Sequence, residues 1–306
     1  MARKKKGDKI DGWIVLDKPA GMSSTQALGK VRWLLKAQKA GHGGTLDPLA
    51  TGILPIALGE ATKTISFCQN QLKVYTFDII WGEMRDTDDA EGKVIATSDI
   101  RPATSAIHAL LPQFMGEIEQ VPPKFSAIKI DGERAYDLAR AGEEVELASR
   151  IVYIETLELT ASTDTHASLR CLCGKGTYIR SLARDMAHEL GTFGYVANLR
   201  RESVGPFTLD NAVTLEQLEA GIDDALLPLE TSLDGILTIA LQEREAARLR
   251  NGQSLQFIAR PDVDRLFLSG FDLDIETMGL ATCNGTPVAL VEVKGVEIHP
   301  VRVLNL

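Results

Sequence analysis

A single acid lies inside an unusually glycine-rich stretch, Gly41-His42-Gly43-Gly44-Thr45-Leu46-Asp47-Pro48-Leu49-Ala50-Thr51-Gly52-Ile53-Leu54. Glycines at this density permit positive φ angles and close approach of the backbone, so a ligand or a second chain can come near Asp47. An isolated Asp-Pro pair commonly does no more than begin a turn. The glycines on both sides favour a functional carboxylate, which makes Asp47 the first candidate site residue.

Short elements are predicted on either side of this stretch. Trp13-Ile14-Val15-Leu16 indicates a strand, and Ser23-x-x-Gln26 has the spacing of a capping box that begins a helix. The alternation from Val74 to Trp81 predicts another strand. Thr177 to Leu190 keeps helical apolar spacing, and this places Arg180 and Arg184 together outside the apolar stripe.

Two other motifs do not meet the requirements of the sites that they suggest. The acidic turn at 86–92 has Ala90 and Glu91 where a calcium loop needs an oxygen ligand and a glycine. The segment Gly174-Lys175-Gly176-Thr177 hints at a phosphate loop, but Leu169 stands where a Walker motif has its first glycine. We therefore predict neither site.

Length and composition restrict the class of protein. The chain has 306 residues with 44% hydrophobic and 25% charged residues, which predicts two folded domains. Its apolar runs are all shorter than the ~20 residues of a membrane span. The basic N-terminus is followed by charged residues rather than by the apolar core of a signal peptide. The four cysteines are too few and scattered for a disulfide framework, and Cys171-x-Cys173 lacks a second ligand pair for zinc. We expect a cytoplasmic protein without a metal.

Charge is unevenly distributed along this acidic chain, whose net charge is -9. Residues 1–63 carry 11 Lys and Arg against 5 Asp and Glu, and residues 168–207 carry 6 against 3. A nucleic acid needs a local positive face rather than a basic average, so the two stretches permit RNA or DNA binding without requiring it.

One carboxylate can act as a nucleophile toward a sugar or ring carbon. To do so it must stay ionised, and an arginine at ~4 Å favours the charged form by roughly 4 kcal/mol at an effective dielectric near 20, before desolvation is subtracted. Arg180 is a candidate partner, although its distance along the chain from Asp47 does not place it there. Glycosidases need a second carboxylate, and no other acid has such glycine-rich surroundings.

Four blocks of sequence follow one another in a recognisable order. They are Leu16-Asp17-Lys18-Pro19 with Gly21-Met22-Ser23-Ser24 and then Gly43 to Leu54; Pro122 to Lys129 with Gly132 to Tyr136; Lys175 to Asp185; and Leu199-Arg200-Arg201 with Val204 to Phe207. Together they resemble the motifs of TruB-type tRNA pseudouridine-55 synthases. Phe125 departs from the family's usual tyrosine.

The resemblance implies an α+β chain with the pseudouridine synthase fold, a mixed and mainly antiparallel sheet with flanking helices. It implies a catalytic domain at 1–236, with a thumb-like insertion at about 122–150, and a small β-rich PUA-like domain at 237–306. A shift to short strands around Asn284-Gly285 and Lys294-Gly295 independently predicts that second domain.

The resemblance also assigns roles to individual residues. Asp47, Tyr75 and Arg180 match the catalytic positions, and Lys18, His42, Tyr178 and Leu199 match substrate-binding positions. The implied reaction converts uridine 55 of the tRNA T-loop to pseudouridine with no cofactor and no metal. A monomer that binds the T-arm, without an obligate protein partner, is expected.

Two other functions remain open at this point. A non-catalytic tRNA-binding or folding protein would use the same basic segments, but it would not need Asp47, Tyr75 and Arg180 together. An RNA-guided synthase subunit is the enzymatic alternative, and activity without guide RNA would exclude it.

Overall fold

The computed structural model describes residues 7–126, 128–130, 133–135, 138, 147–221 and 225–306. None of the helices in these ranges is long and apolar enough to cross a membrane. Within the predicted thumb at 122–150, residues 127, 131–132, 136–137 and 139–146 lie outside the described residues.

A nine-stranded sheet forms the larger part of the molecule. Its central path runs in the order β1-β3-β12-β4-β11-β10-β7, with β2 beside β3 and β13 beside β12. These strands are β1 Gly12–Lys18, β2 Ala40–His42, β3 Thr51–Leu58, β4 Lys73–Trp81, β7 Gly116–Gln120, β10 Arg150–Ser162, β11 His166–Cys173, β12 Gly194–Val204 and β13 Phe207–Thr208. All pairings in this sheet are antiparallel except β3 with β12, so the predicted mixed, mainly antiparallel sheet is confirmed.

Two short hairpins lie outside the large sheet. The first pairs β5 Glu83–Arg85 with β6 Val94–Thr97, and the acidic turn at 86–92 connects its strands. The second pairs β8 Lys129–Ile130 with β9 Glu133–Arg134.

Short helices cover the large sheet. They are α1 Ser24–Leu34, α2 Ile65–Asn70, α3 Thr104–Leu110, α4 Ile179–Glu189 and α5 Leu215–Ala220. The predicted capping box is present at Ser23 with Gln26, and a second capping box is present at Thr214 with Gln217. Because Ala27 and Val31 are buried while Lys30 and Trp33 are not, α1 packs one apolar face against the sheet.

The C-terminal part forms its own five-stranded sheet in the order β14-β16-β17-β18-β15. The strands are β14 Leu237–Ala240, β15 Leu255–Gln256, β16 Thr277–Cys283, β17 Thr286–Lys294 and β18 Glu297–Val303, with helices α6 Glu243–Arg250 and α7 Arg260–Leu268. The two predicted hairpin turns are confirmed, since Asn284, Gly285 and Gly295 take positive φ between β16 and β17 and between β17 and β18.

Three apolar cores hold these layers together. One lies between the large sheet and its helices, and a second fills the C-terminal unit. The third joins the two sheets, since Trp13 and Phe207 of the large sheet share a cluster with Leu290 and Leu304 of the C-terminal part. The rings of Trp13 and Phe207 lie 5.0 Å apart, within the range of favourable aromatic pairs.

Candidate active site

Asp47 lies in the loop between β2 and β3, at residues 43–50, which we call the Asp47 loop. Arg180, at the start of α4, donates to Asp47 through Nε to Oδ2 at 2.9 Å and through Nη2 to Oδ1 at 3.3 Å. The Arg180 side chain is 4% exposed and that of Asp47 is 29% exposed. A fork of two parallel bonds fixes the carboxylate in one orientation while one side of it stays accessible.

Other partners hold the Arg180 guanidinium in place. It donates to the carbonyl oxygens of Thr87 and Phe125, at 3.0 and 2.9 Å, and its Nη1 lies 3.7 Å from Asp89 Oδ2. Arg180 therefore joins three segments that are far apart in sequence. Phe125 contributes here through its backbone, which is independent of the difference between phenylalanine and tyrosine.

The acidic turn at 86–92 supplies carboxylates to the two arginines of α4. Arg184 donates to Asp88 Oδ2 at 3.0 Å, as Arg180 approaches Asp89. Burial raises the pKa of Asp88 to about 6, although the charges of Arg184 and Arg180 act in the opposite direction. The sequence predicted that these arginines share a face of α4, and the structure directs that face to the acidic turn.

Two buried polar side chains attach the Asp47 loop to the start of the chain. Ser24 Oγ donates to the Leu46 carbonyl at 2.9 Å and accepts from the Leu46 amide at 2.7 Å. Lys18 Nζ donates to the carbonyls of Pro19, Met22 and Pro48. Burial lowers the pKa of Lys18 to about 8, and the charge of Asp47 opposes this shift.

A cleft of about 550 Å³ opens beside the Asp47 loop. Asp47, Tyr75, Tyr178 and Leu199, all predicted site residues, are among the described residues that line it. Tyr75 and Leu199 are almost fully buried, so they present apolar surface at the base of the cleft. Burial raises the pKa of Tyr75, against the opposing charge of Arg201, and its hydroxyl therefore keeps its proton near neutral pH.

The remaining predicted site residues do not line the cleft. Lys18 is fully buried and its ammonium group binds backbone carbonyls. His42 ends β2, directly before the Asp47 loop, and its Nδ1 is buried with no hydrogen-bond partner among the described residues. Burial lowers the pKa of His42, and the charge of Arg201 lowers it further, so the ring is neutral at pH 7.

Arg201 was assigned no role from the sequence, yet it organises the site. It is 1% exposed and donates to the carbonyls of Ile53 at 2.7 Å, Gly44 at 3.1 Å and Thr45 at 3.3 Å. Its Nη1 also lies 3.5 Å from the Tyr75 hydroxyl oxygen. Arg201 thus connects the Asp47 loop to Tyr75.

A β-bulge in β12 explains how an arginine becomes buried there. The register of β12 against β4 shifts between Ala197 and Arg200, and Asn198 has a φ of 49°. After the bulge, Leu199 and Arg201 both lie on the buried side. The signal in the sequence that could have indicated a buried Arg201 is its spacing of two residues from Leu199, which places both side chains on one face of a strand.

The described residues contain no group of three or more His, Cys, Asp and Glu side chains that could hold a metal ion. Cys171 and Cys173 are buried free thiols in β11. They pack inside the apolar core between the large sheet and its helices.

Solved structures share this fold. A chain from the crystal structure of a Cbf5-Nop10-Gar1 complex superimposes with a TM-score of 0.71 at 23% identity, covering 95% of this chain and 84% of that chain. A chain from an H/ACA RNP bound to a substrate RNA containing 2′-deoxyuridine gives a TM-score of 0.72 at 21% identity, covering 100% and 92%. At these identities the likeness shows the fold alone, and it confirms the predicted α+β class.

Sequence comparison defines the protein class as the pseudouridylate synthases. The profile described as "TruB family pseudouridylate synthase (N terminal domain)" matches residues 32–179. The profile "tRNA pseudouridylate synthase B C-terminal domain" matches residues 180–234.

Full-length relatives agree with these profiles. Proteins named tRNA pseudouridine synthase B from Dinoroseobacter shibae and Rhodospirillum rubrum are each 49% identical over 100% of this chain, and the matches cover 99% and 100% of those proteins. The one from Bradyrhizobium diazoefficiens is 50% identical over 100% of this chain and 91% of its own length. The chain belongs to the TruB family of pseudouridylate synthases.

Proposed function

We propose that this chain isomerises uridine 55 in the T-loop of tRNA to pseudouridine. The observation that carries the proposal is the Asp47 carboxylate, held by two hydrogen bonds from buried Arg180 at the edge of a cleft that Tyr75 and Leu199 line. The names of the relatives support tRNA as the substrate. The T-loop and position 55 follow from the motif resemblance.

The reaction begins when the target uridine leaves the RNA stack and enters the cleft. Unstacking costs a few kcal/mol, and contact with the Tyr75 ring returns about 1 to 3 kcal/mol. His42, which is neutral and adjacent to the Asp47 loop, occupies the space that the base leaves in the RNA. Tyr178 and Leu199 enclose the base within the cleft.

Asp47 then breaks the bond between C1′ of the ribose and N1 of uracil. Either its carboxylate attacks C1′, or it removes a proton from C2′ to give a glycal. The detached uracil rotates and forms a bond from C5 to C1′. In the first route this bond forms as the ester bond between Asp47 and C1′ breaks, and in the second route Asp47 returns its proton to C2′ as C5 bonds to C1′. C5 then loses its proton and N1 gains one. The product is an isomer of the substrate, so the reaction consumes no coenzyme.

Two groups of the cleft are candidates to accept the proton that leaves C5. They are the Asp47 carboxylate and the Tyr75 hydroxyl, since both residues line the cleft. In either case the Tyr75 ring packs against the uracil.

The domain organisation proposed for this activity is a catalytic domain at 1–236 and a PUA-like domain at 237–306. Its support is the separate sheet and apolar core of the C-terminal part. We further propose that the enzyme acts in the cytoplasm as a monomer and binds the isolated T-arm as well as whole tRNA.

Tritium release tests this function. The purified chain is incubated with an unmodified tRNA transcript tritiated at uracil C5, in EDTA and without nucleotide or guide RNA. Release of tritium in an amount that approaches the amount of tRNA supports the proposal. It also excludes both an RNA-guided synthase subunit and a protein that only binds tRNA. Binding without tritium release would overturn it.

A second measurement separates the two routes to bond cleavage. A transcript deuterated at C2′ reacts more slowly than the protiated transcript if Asp47 removes the C2′ proton in a rate-limiting step. Equal rates under single-turnover conditions would count against the glycal route.

A further inference from the structure

One end of the cleft is rich in positive charge that the chemistry above does not use. Four cations, Lys73, Arg150, Lys175 and Arg201, and one carboxylate, Asp47, are among the described residues that line the cleft. Asp47 is already paired with Arg180. Within the described ranges, none of these four cations forms an ion pair with a carboxylate.

The segment Gly174-Lys175-Gly176-Thr177, which is not a Walker motif, contributes to this end. Lys175 is exposed, and its Nζ donates to Asn70 Oδ1 at 3.2 Å. Gly176 has a φ of 91°, and a Cβ at this position would lie 3.8 Å from the Arg150 guanidinium. The positive φ favours glycine at this position, and the Gly174–Thr177 turn lies beside Arg150.

Arg150 is held in a fixed orientation, and it has no charged partner among the residues that the structure describes. One of its terminal nitrogens donates to the Gly176 carbonyl, and its guanidinium lies 4.8 Å from the centre of the Tyr178 ring. Its Nε is buried and has no hydrogen-bond partner among the described residues. The planar guanidinium has terminal N–H donors beyond the one that binds Gly176, and these are well suited to bind a phosphate oxygen.

Lys73 is the third cation of this group, with Arg150 and Lys175. It is 7% exposed and donates to the carbonyls of Gln69 and Gln71. Burial lowers its pKa to about 8, and the charges of Arg201 and Lys175 contribute in the same direction. Cations held together at such a cost are stabilised when an anion binds between them.

We propose that Lys73, Arg150 and Lys175 form a subsite for one phosphate of the RNA strand, next to the nucleotide that reacts at Asp47. We call these three residues the cationic subsite; this inference rests on the proposed function. The subsite and Asp47 line the same cleft, so a strand whose base reaches Asp47 brings its backbone to the cationic end. Binding a phosphate here positions the strand but does not read its sequence.

The test uses Lys175→Ala, because this side chain is exposed and its removal leaves the buried network intact. The matched control is Lys294→Ala, a 72% exposed lysine of the C-terminal sheet. Both variants lose one positive charge. Affinity for a T-arm stem-loop is measured over a range of salt concentrations, with melting curves to confirm folding.

We expect Lys175→Ala to raise Kd about tenfold and to reduce the slope of log K against log salt by about one. Lys294→Ala should leave both within error of the unchanged chain. Equal effects of the two substitutions would overturn the subsite.

A stem-loop with one uncharged methylphosphonate linkage identifies the phosphate. Placed in turn at the linkages flanking the target uridine, it should weaken binding by the unchanged chain at one position and have no further effect on Lys175→Ala there. If the variant is as sensitive as the unchanged chain at every linkage, the proposal is wrong. Failure of the proposed function would instead appear as absence of tritium release by the unchanged chain.

Discussion

Arg180 has little freedom to move, because its guanidinium donates to Asp47, Thr87 and Phe125 at once. The arginine therefore fixes both the charge and the direction of the carboxylate. A lysine at this position would keep the charge and lose the fork of parallel bonds.

Arg180→Lys should lower the single-turnover rate of tritium release at least tenfold, about 1.4 kcal/mol in the transition state, while RNA affinity changes little. Arg184→Lys is the matched control, since Arg184 lies one turn further along α4 and pairs with Asp88 instead. A similar rate loss in both variants would show that the orientation of Asp47 is not the cause.

Arg201 makes a different prediction, on stability. Arg201→Lys keeps a buried charge but cannot reach all the carbonyls of Gly44, Thr45 and Ile53, so unfolding should require about 2 to 4 kcal/mol less in urea titrations. Arg200→Lys, at the neighbouring residue, should cost less because the Arg200 side chain is 33% exposed and pairs with Asp17. Equal losses would contradict this role of Arg201.

Residues near Asp47 in sequence were easier to recognise than residues that reach it through the fold. The glycine-rich stretch drew attention to Asp47 directly, whereas the partnership with Arg180 needed a contact across 133 residues. Arg201 reaches Ile53 across 148 residues and depends on the parallel pairing of β3 with β12. Neither contact can be obtained from local spacing.

At the scale of elements, the start of α1 is coupled to the Asp47 loop. Ser23 caps the helix at the surface, and the next residue, Ser24, turns inward to hold both polar backbone groups of Leu46. The two adjacent serines therefore have different roles: Ser23 caps the helix, and Ser24 positions the Asp47 loop.

Ser24→Ala should lower the free energy of unfolding by about 1 to 3 kcal/mol and also slow tritium release, because the Leu46 amide and carbonyl lose their partner beside Asp47. Ser23→Ala should cost about 1 kcal/mol of stability through the lost cap and leave the rate unchanged. Rates that fall equally in the two variants would contradict this division.

Elements that depend on neighbouring residues in the sequence were predicted well. Features that depend on the pairing of distant strands were not. The capping box at Ser23 and the turn at Asn284-Gly285 depend on neighbouring residues, and the structure confirms both. The bulge in β12 arises from its register against β4, which involves a strand more than 100 residues away. The predicted thumb at about 122–150 falls partly on residues outside the described ranges and stays a prediction.

At the scale of the whole molecule, an acidic chain concentrates in one cleft four cations that have no carboxylate partner in the described ranges. The counts of charged residues along the sequence indicated two basic segments. Each count combined lysines that lie apart in the fold. The hydrophobic periodicity of the sequence does not indicate which faces of the two sheets contact each other. The core that joins Trp13 and Phe207 to Leu290 was therefore not predicted.

The buried lysine of the cleft should give the molecule a pH-dependent stability. The pKa of Lys73 in the folded chain, about 8, lies below the ordinary lysine value of 10.5, so between these values the unfolded chain binds more protons. Its contribution to the free energy of unfolding therefore rises with pH across that interval. Comparison with Lys73→Met isolates this contribution: the stability of the unchanged chain relative to the variant should increase from pH 8 to 10. A difference independent of pH would contradict the assignment.

The whole account depends on Asp47, and Asp47→Asn tests it most directly because the amide keeps the size of the side chain. The measurement is single-turnover tritium release from the C5-labelled tRNA transcript by the folded, purified variant. We predict no detectable release, with stem-loop affinity within roughly threefold of the unchanged chain, a difference below 1 kcal/mol. Release at the rate of the unchanged chain would contradict the account.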